Sequence, residues 1–154
     1  MYLRRLDSSF VEGYVSPQTF QRPEGVEILT RAAQVALVPY REIRAVYFVR
    51  EFQGPPDADE KRQFQSRPKL DGLWVRLTFH DGEVFEGVIA NDLLNLGDYG
   101  VTFSPPDANS NTQRVFVPKQ TLKELKVLGV IGSAAHRRRA RPKKSSDDQI
   151  ELFS

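Results

Sequence analysis

Few residues in this sequence could carry catalysis, and their spacing does not favour it. There is no Cys, which excludes thiolate metal sites and cysteine nucleophiles, and the imidazoles are those of His80 and His136. Asp81, Glu83 and Glu86 lie close together, yet paired carboxylates act as general acid and base only where burial or repulsion separates their pKa values. We predict an exposed turn position for Asp81, a solvated position for Glu83, an outward strand position with a structural role for Glu86 and a structural turn role for His80. The sequence therefore predicts a protein without enzymatic activity, bound metal or cofactor.

Residues suited to recognition are concentrated near the C-terminus. Six of the 22 basic residues fall within eight positions: Arg137, Arg138, Arg139, Arg141, Lys143 and Lys144. Such a run predicts contact with nucleic-acid phosphates. The alternative interpretation is a solubilising or nonspecific tail. Residues 133–154 contain too few large apolar side chains to offset the entropy of ordering them, which predicts a disordered basic tail.

The last residues of the sequence are apolar where a polar tail is expected. Gln149-Ile150-Glu151-Leu152-Phe153 resembles the short motif by which bacterial polymerases and repair proteins dock on the DNA sliding clamp. The resemblance implies that Leu152 and Phe153 fill a hydrophobic pocket, that Ile150 covers its edge and that Gln149 hydrogen-bonds at its rim. It also implies that the partner is the clamp, the β subunit of the polymerase. Two alternatives remain open: a terminal segment that packs back on the body, or one without a function.

The rest of the chain has the period-two apolar pattern of half-buried strands. Trp74 to Phe79, an Asp81-Gly82 turn and Val84 to Ala90 predict a β-hairpin. Further strands are predicted at Tyr99–Ser104, Gln113–Val117 and Leu122–Leu128. Five short strands of this kind predict a small barrel.

The N-terminal half repeats this plan. VEGYV at 11–15 matches FEGVI at 85–89, EGVEILT at 24–30 matches YGVTFSP at 99–105, and VPYREIRAVYFV at 38–49 matches VPKQTLKELKVL at 117–128. The offset drifts from 74 to 79 residues across loops, as expected for a duplicated fold, and coincidence among short β patterns is the alternative. Trp74 and Phe116, opposite the main apolar set, are predicted to form the contact between the two barrels, and exposed positions on the surface are the alternative.

Residues 73–103 resemble the Sm-like family of five-stranded barrels, through Gly82, Gly87 and Asp92, with Asn95 one residue early. The Ile-Arg-Gly-like turn of that family is absent, so the resemblance implies at most half an RNA pocket, at Asp92 and Asn95. Residues 67–94 are also similar to an uncharacterised bacterial family with a two-barrel plan.

Together these patterns predict an all-β fold of two tandem five-stranded SH3/Sm-like small barrels. The predicted domains are a first barrel at 1–52, a linker at 53–71 with one helical turn near Asp59 to Phe64, a second barrel at 72–132 and the tail at 133–154. No stretch approaches the roughly 20 apolar residues of a membrane span, so we expect a soluble, cytoplasmic protein without a membrane partner.

Two functions from different classes follow. The leading hypothesis is a non-enzymatic adaptor of DNA replication or repair that docks on the sliding clamp, with the tail touching the DNA backbone. The alternative is an Sm-like RNA-binding module with a nonspecific basic tail. A hydrolase using Glu83, Glu86 and Asp92 would need these acids to converge in one concave pocket. The oligomeric state is left open.

Overall fold

The fold is all-β, as predicted, in a computed structural model that describes residues 1–56, 62–92, 97–106 and 110–132. The strands of this described part are β1 (Tyr2–Arg5), β2 (Phe10–Tyr14), β3 (Gln21–Arg22), β4 (Gly25–Thr30), β5 (Val35–Pro39), β6 (Ile43–Val49), β7 (Gly72–Phe79), β8 (Val84–Ile89), β9 (Gly100–Phe103), β10 (Thr112–Pro118) and β11 (Leu122–Ile131). A 3-10 turn precedes β6 at Tyr40–Glu42, and another precedes β11 at Lys119–Thr121.

The strands form two curled sheets that meet at one bridge. In the larger sheet the lateral order is β9-β10-β6-β1-β2-β4-β5, and the short strand β3 pairs with the same edge of β4 as β2 does. The smaller sheet has the order β11-β7-β8. Val88 and Ser104 exchange two backbone hydrogen bonds of 3.0 and 2.9 Å, which join β8 to the chain just after β9. The strands therefore follow one another laterally from β11 at one end to β5 at the other.

Alternation along β7 shows why these residues form strands. Leu73, Val75, Leu77 and Phe79 are buried, while Arg76 between them is exposed. The turn to β8 uses Gly82 at φ +89°, a backbone conformation that glycine adopts without steric cost. The predicted hairpin is confirmed, with β8 ending at Ile89.

The strand pairings of the two halves coincide in register. Leu3 pairs with Val46, and at the corresponding positions of the second half Leu77 pairs with Leu125. In both halves the register shifts by one residue between the first and the third residue of the last strand. The same agreement holds between the pairs formed by β4 with β5 and by β9 with β10: Gly25–Pro39 with Gly100–Pro118, and Val26–Val38 with Val101–Val117. These matched registers support an internal duplication.

Each half also contributes to the core of the other. The core cluster around β4 contains Phe116 of β10, and the cluster around β7 contains Tyr2, Ala45 and Tyr47 from the first half. The predicted contact through Phe116 is confirmed, because its ring is fully buried and lies 5.2 Å from that of Phe20. The halves therefore share a sheet and exchange core side chains.

The predicted inter-barrel contact through Trp74 is wrong. Its ring packs edge-on against Phe64, with 6.2 Å between centroids, and its indole N–H donates to Glu86. Both partners belong to the second half or to the segment before it. The predicted linker therefore covers β7 and β8 where residues 62–70 are described, whereas most of the predicted helical turn lies outside the described residues. The domain boundaries themselves stay a prediction.

Candidate functional site

Four charged side chains that are paired with one another lie where the two halves meet: Arg44, Arg62, Asp81 and Glu83. Arg44, the second residue of β6, is 8% exposed and reaches the turn between β7 and β8. Its Nη1 donates to Asp81 Oδ2 at 2.9 Å and its Nη2 donates to Glu83 Oε1. Its guanidinium also lies 3.9 Å from the centroid of the Phe79 ring. One side chain of the first half is therefore held by three side chains of the second.

The turn between β7 and β8 presents both carboxylates to Arg44. Gly82 N–H donates to the Phe79 carbonyl at 3.0 Å, and Phe79 N–H donates to the Glu83 carbonyl at 2.9 Å. Asp81 Oδ1 accepts the Glu83 N–H at 2.9 Å, which fixes the aspartate within the turn. Glu83 also accepts from Arg62, in the segment that crosses the second half. The acids thus lie between two guanidinium groups.

These contacts keep both carboxylates ionised. The pKa of Asp81 is lowered by the backbone hydrogen bond from Glu83 and by the hydrogen bond from Arg44. Partial burial raises the pKa of Glu83, but the hydrogen bond from Arg62 and the charges of Arg44 and Arg62 outweigh it, so its pKa is lowered as well. A general acid needs the opposite shift, because it must hold its proton near neutral pH. Asp81 and Glu83 are suited to binding a cation, and Arg44 and Arg62 already supply it.

A cleft of about 430 Å3 opens beside this group. It is lined by Leu6, Arg41, Arg44, His80, Asp81, Gln120 and Thr121. Arg41 and Gln120 are exposed and can donate hydrogen bonds to a bound ligand, whereas Arg44 is already paired with Asp81. The Thr121 hydroxyl, a potential nucleophile, donates to the Pro118 carbonyl at 2.9 Å and is thus engaged by the backbone of its own chain. The arrangement can bind polar groups, and it fastens the two halves to each other.

Three of the four residues whose placement the sequence predicts lie in this turn, between β7 and β8. Asp81 lies in the turn and its side chain is 59% exposed, as predicted, and His80 is an exposed residue at the start of the same turn. Glu83 was predicted to be solvated, which is wrong: its side chain is 31% exposed and is paired with two arginines. The reason is tertiary, since both arginines come from distant segments.

The outward position predicted for Glu86 is also wrong. Glu86 is 5% exposed, because residues 62–70 lie over its side of β8. Its Oε1 accepts from the Phe64 N–H at 3.1 Å and from the Trp74 indole N–H at 3.2 Å, and Arg76 lies 3.6 Å from Oε2. A carboxylate supplied with these donors has a structural role, tying that segment to the sheet.

The recognition residues predicted from sequence are not brought together in the described structure. Asp92 follows β8 and is exposed, with its N–H donating to the Ala90 carbonyl at 2.8 Å, but Asn95 lies outside the described residues. The predicted tail also lies outside them, together with its basic run and clamp motif: Arg137, Arg138, Arg139, Arg141, Lys143, Lys144, Gln149, Ile150, Leu152 and Phe153. These assignments stay predictions.

Arg44 belongs to none of the patterns that predict a site from the sequence. The available signal was a lone charged residue inside the apolar run of β6, where an unpaired cation would be costly to bury. Such a residue predicts a partner acid, although the sequence does not say which.

Within the described ranges no cluster of His, Asp and Glu could hold a metal ion. In that same part of the chain no helix has the length and apolar character needed to cross a membrane.

Comparison with known proteins adds one positive finding. A family model described as a family of unknown function (DUF6982) matches residues 1–129, which run through both halves and end within β11. No curated protein and no solved structure matches the chain. Because the matched residues make up far more than half of the 154, the chain belongs to DUF6982, a family of unknown function.

Proposed function

We propose that this protein is a non-catalytic adaptor that docks on the bacterial DNA sliding clamp through Gln149, Ile150, Leu152 and Phe153. In this proposal the body consists of two tandem five-stranded SH3/Sm-like barrels that serve as a platform for the tail. The observation that carries the proposal is the sequence QIELF, in which all four defining positions of the clamp motif are filled. The ion pairs of Asp81 and Glu83 support the non-catalytic part of the proposal, because both carboxylates are held as anions by arginine side chains.

Binding of the motif is a case of a short peptide entering a preformed groove. Burying Leu152 and Phe153 contributes about 1.5–3 kcal/mol each. Ordering a flexible segment offsets part of this gain, so we expect a Kd of about one micromolar. Gln149 adds register more than affinity, because its hydrogen bonds to the rim replace hydrogen bonds to water.

The basic run upstream strengthens the same attachment. Arg137, Arg141 and Lys144 lie twelve, eight and five positions before Gln149, so these cations remain near any DNA that the clamp encircles. Contacts with phosphates release counterions and carry no sequence preference. Two weak contacts on one segment raise the effective concentration of each other.

The test is calorimetric titration of the full chain with a purified bacterial sliding clamp. Leu152→Ala combined with Phe153→Ala is expected to weaken binding at least about 100-fold, from the two lost burials. Glu151→Ala is the matched control, because the motif accepts any residue at that position, and it is expected to bind as the parent does. Equal affinities of the parent and the double variant would contradict the proposal.

RNA binding is the second candidate, supported by the exposed position of Asp92 three residues after the end of β8. It predicts that the chain retains single-stranded RNA after Leu152→Ala and Phe153→Ala, and that Asp92→Ala or Asn95→Ala releases it. Clamp docking predicts the reverse sensitivity. Measuring both ligands with these variants separates the two functions.

A further inference from the structure

The contact between the two halves is a backbone pairing of β6 with β10. Arg114 lies opposite Phe48, Val115 opposite Tyr47 and Phe116 opposite Val46, all in antiparallel register. The pairing joins the last strand of the first half, β6, to the next-to-last strand of the second, β10. The next-to-last strand of the first half, β5, and the last strand of the second, β11, take no part in it.

Both strands of this contact have a counterpart in the other half. Val38 and Val117 lie 79 residues apart at matched positions, so β5 corresponds to β10 and β11 corresponds to β6. Among the strands that the structure describes, β5 pairs only with β4 and β11 pairs only with β7. β10 and β6, by contrast, each have a partner on both sides. The chain therefore has a second copy of each strand of its internal contact: β5 at an edge of the larger sheet and β11 at an edge of the smaller one.

We propose that copies of this chain associate head to tail, with β5 of one copy pairing antiparallel to β11 of the next. The register follows from the internal contact by the 79-residue offset. Val35 then lies opposite Val127, Ala36 opposite Lys126 and Leu37 opposite Leu125. When two different strand edges of one molecule are unpaired and complementary to each other, copies of that molecule can associate through them in a heterologous, head-to-tail contact.

Three exposed apolar side chains lie on the two strands of the proposed contact. Val35 is 71% exposed, Leu37 47% and Val127 42%. The residues that correspond to Leu37 and to its expected partner Leu125 are Phe116 and Val46, both fully buried at the internal contact. Covering these side chains with a second copy removes apolar area from water, which favours association.

Charges at the two ends are complementary in the same alignment. Arg44 pairs with Asp81 inside the chain, and the residues at the corresponding positions of the outer ends are Lys123 and Asp7. Tyr40 stacks on Tyr99 at 5.3 Å inside the chain, and the corresponding residues are Lys119 and Glu24.

All four of these outer residues are exposed, and each pair joins a cation on the β11 side to an acid on the β5 side. Two opposite-charge pairs in one register favour a second copy over an unrelated strand, because charges on an edge reject partners that do not match them.

One substitution makes the outer contact weaker than the inner one. Phe79 packs against the Arg44 guanidinium, and its counterpart is Arg5, which repels Lys123 instead of stacking with it. The contact between copies is therefore expected to be reversible and to depend on protein concentration.

Sedimentation equilibrium of the full chain tests the proposal. The parent is expected to show an average mass that rises with concentration above 17.6 kDa. Val35→Asp blocks β5 and Val127→Asp blocks β11, so each variant alone is expected to remain at 17.6 kDa. A mixture of the two retains one intact pair of edges, and it is expected to give a one-to-one complex of two chains and nothing larger.

Leu70→Asp is the control, because Leu70 is also an exposed apolar residue but belongs to neither edge. It is expected to associate as the parent does, and circular dichroism checks that all three variants fold. A parent that stays monomeric at every concentration would overturn the proposal, and so would a mixture in which the two blocked variants remain apart. A parent that assembles only after residues 133–154 are removed would also overturn it, since the tail would then be the occupant of the edge.

Discussion

The inner contact, β6 with β10, and the outer ends, β5 and β11, have the same backbone plan and different side chains. At the inner contact Phe116 is fully buried and Arg44 is 8% exposed. At the outer ends the corresponding residues are Leu37, which is 47% exposed, and Lys123, which is also exposed. An aromatic ring and a guanidinium provide large buried contacts that a leucine and an ammonium do not match. The difference indicates a permanent contact inside the chain and weaker edges at its ends.

Truncating the buried aromatic ring should give the largest effect. Phe116→Ala removes a fully buried side chain from the core of the first half and is expected to lower the free energy of unfolding by about 3–5 kcal/mol. Leu37→Ala, at the corresponding outer position, is expected to change it by less than about 1 kcal/mol. Urea unfolding of both variants at low protein concentration measures the two values, and similar losses would contradict the distinction between inner and outer contacts.

Removing the charged residue of each contact should give a smaller difference. Arg44→Met keeps an apolar stem but leaves Asp81 and Glu83 without their shared partner, at an expected loss of about 1–2 kcal/mol. The value lies below that of a fully buried pair because Asp81 is largely exposed. Lys123→Met is expected to change the free energy of unfolding by no more than about 0.5 kcal/mol. Thermal unfolding of the two variants side by side measures both losses of stability. A greater loss for Lys123→Met than for Arg44→Met would contradict the prediction.

The pH dependence of stability should give the smallest effect. Because the pKa of folded Glu83 lies below its ordinary value of 4.5, the stability it contributes is complete above pH 4.5 and is lost as the pH falls through the lowered pKa. Glu83→Gln removes this contribution. The gap in urea midpoint between the parent and Glu83→Gln should therefore be widest at neutral pH and narrow progressively below pH 4.5, and a gap that widens on acidification would refute the assignment.

The features that sequence predicts well are local. The β7–β8 hairpin follows from alternation and an Asp-Gly turn within 18 residues, and the repeat is visible in the matched glycine and Val-Pro positions. Burial of Glu86 could not be predicted, because it depends on a segment more than twenty residues away that has no periodic pattern. The acids that pair with Arg44 lie 37 and 39 residues along the chain, so nothing local identifies them.

The pairing of β6 with β10 is the clearest case of a feature beyond local sequence. Each strand is predicted by its own pattern, and the choice of neighbour depends on which edges remain unpaired after each half has folded. The repeat nevertheless predicts the register of the outer edges once the inner register is known.

Chemical cross-linking of introduced cysteines tests the equivalence of the inner and outer contacts most directly, because the sequence contains no Cys of its own. A chain carrying both Val35→Cys and Val127→Cys is treated with a short bismaleimide at a concentration where the parent associates. Our account predicts covalent dimers and higher multiples, whereas Val35→Cys with Leu70→Cys gives none beyond background. If the Val35–Val127 chain stays at 17.6 kDa while the parent associates, the copies meet through another surface and the account is wrong.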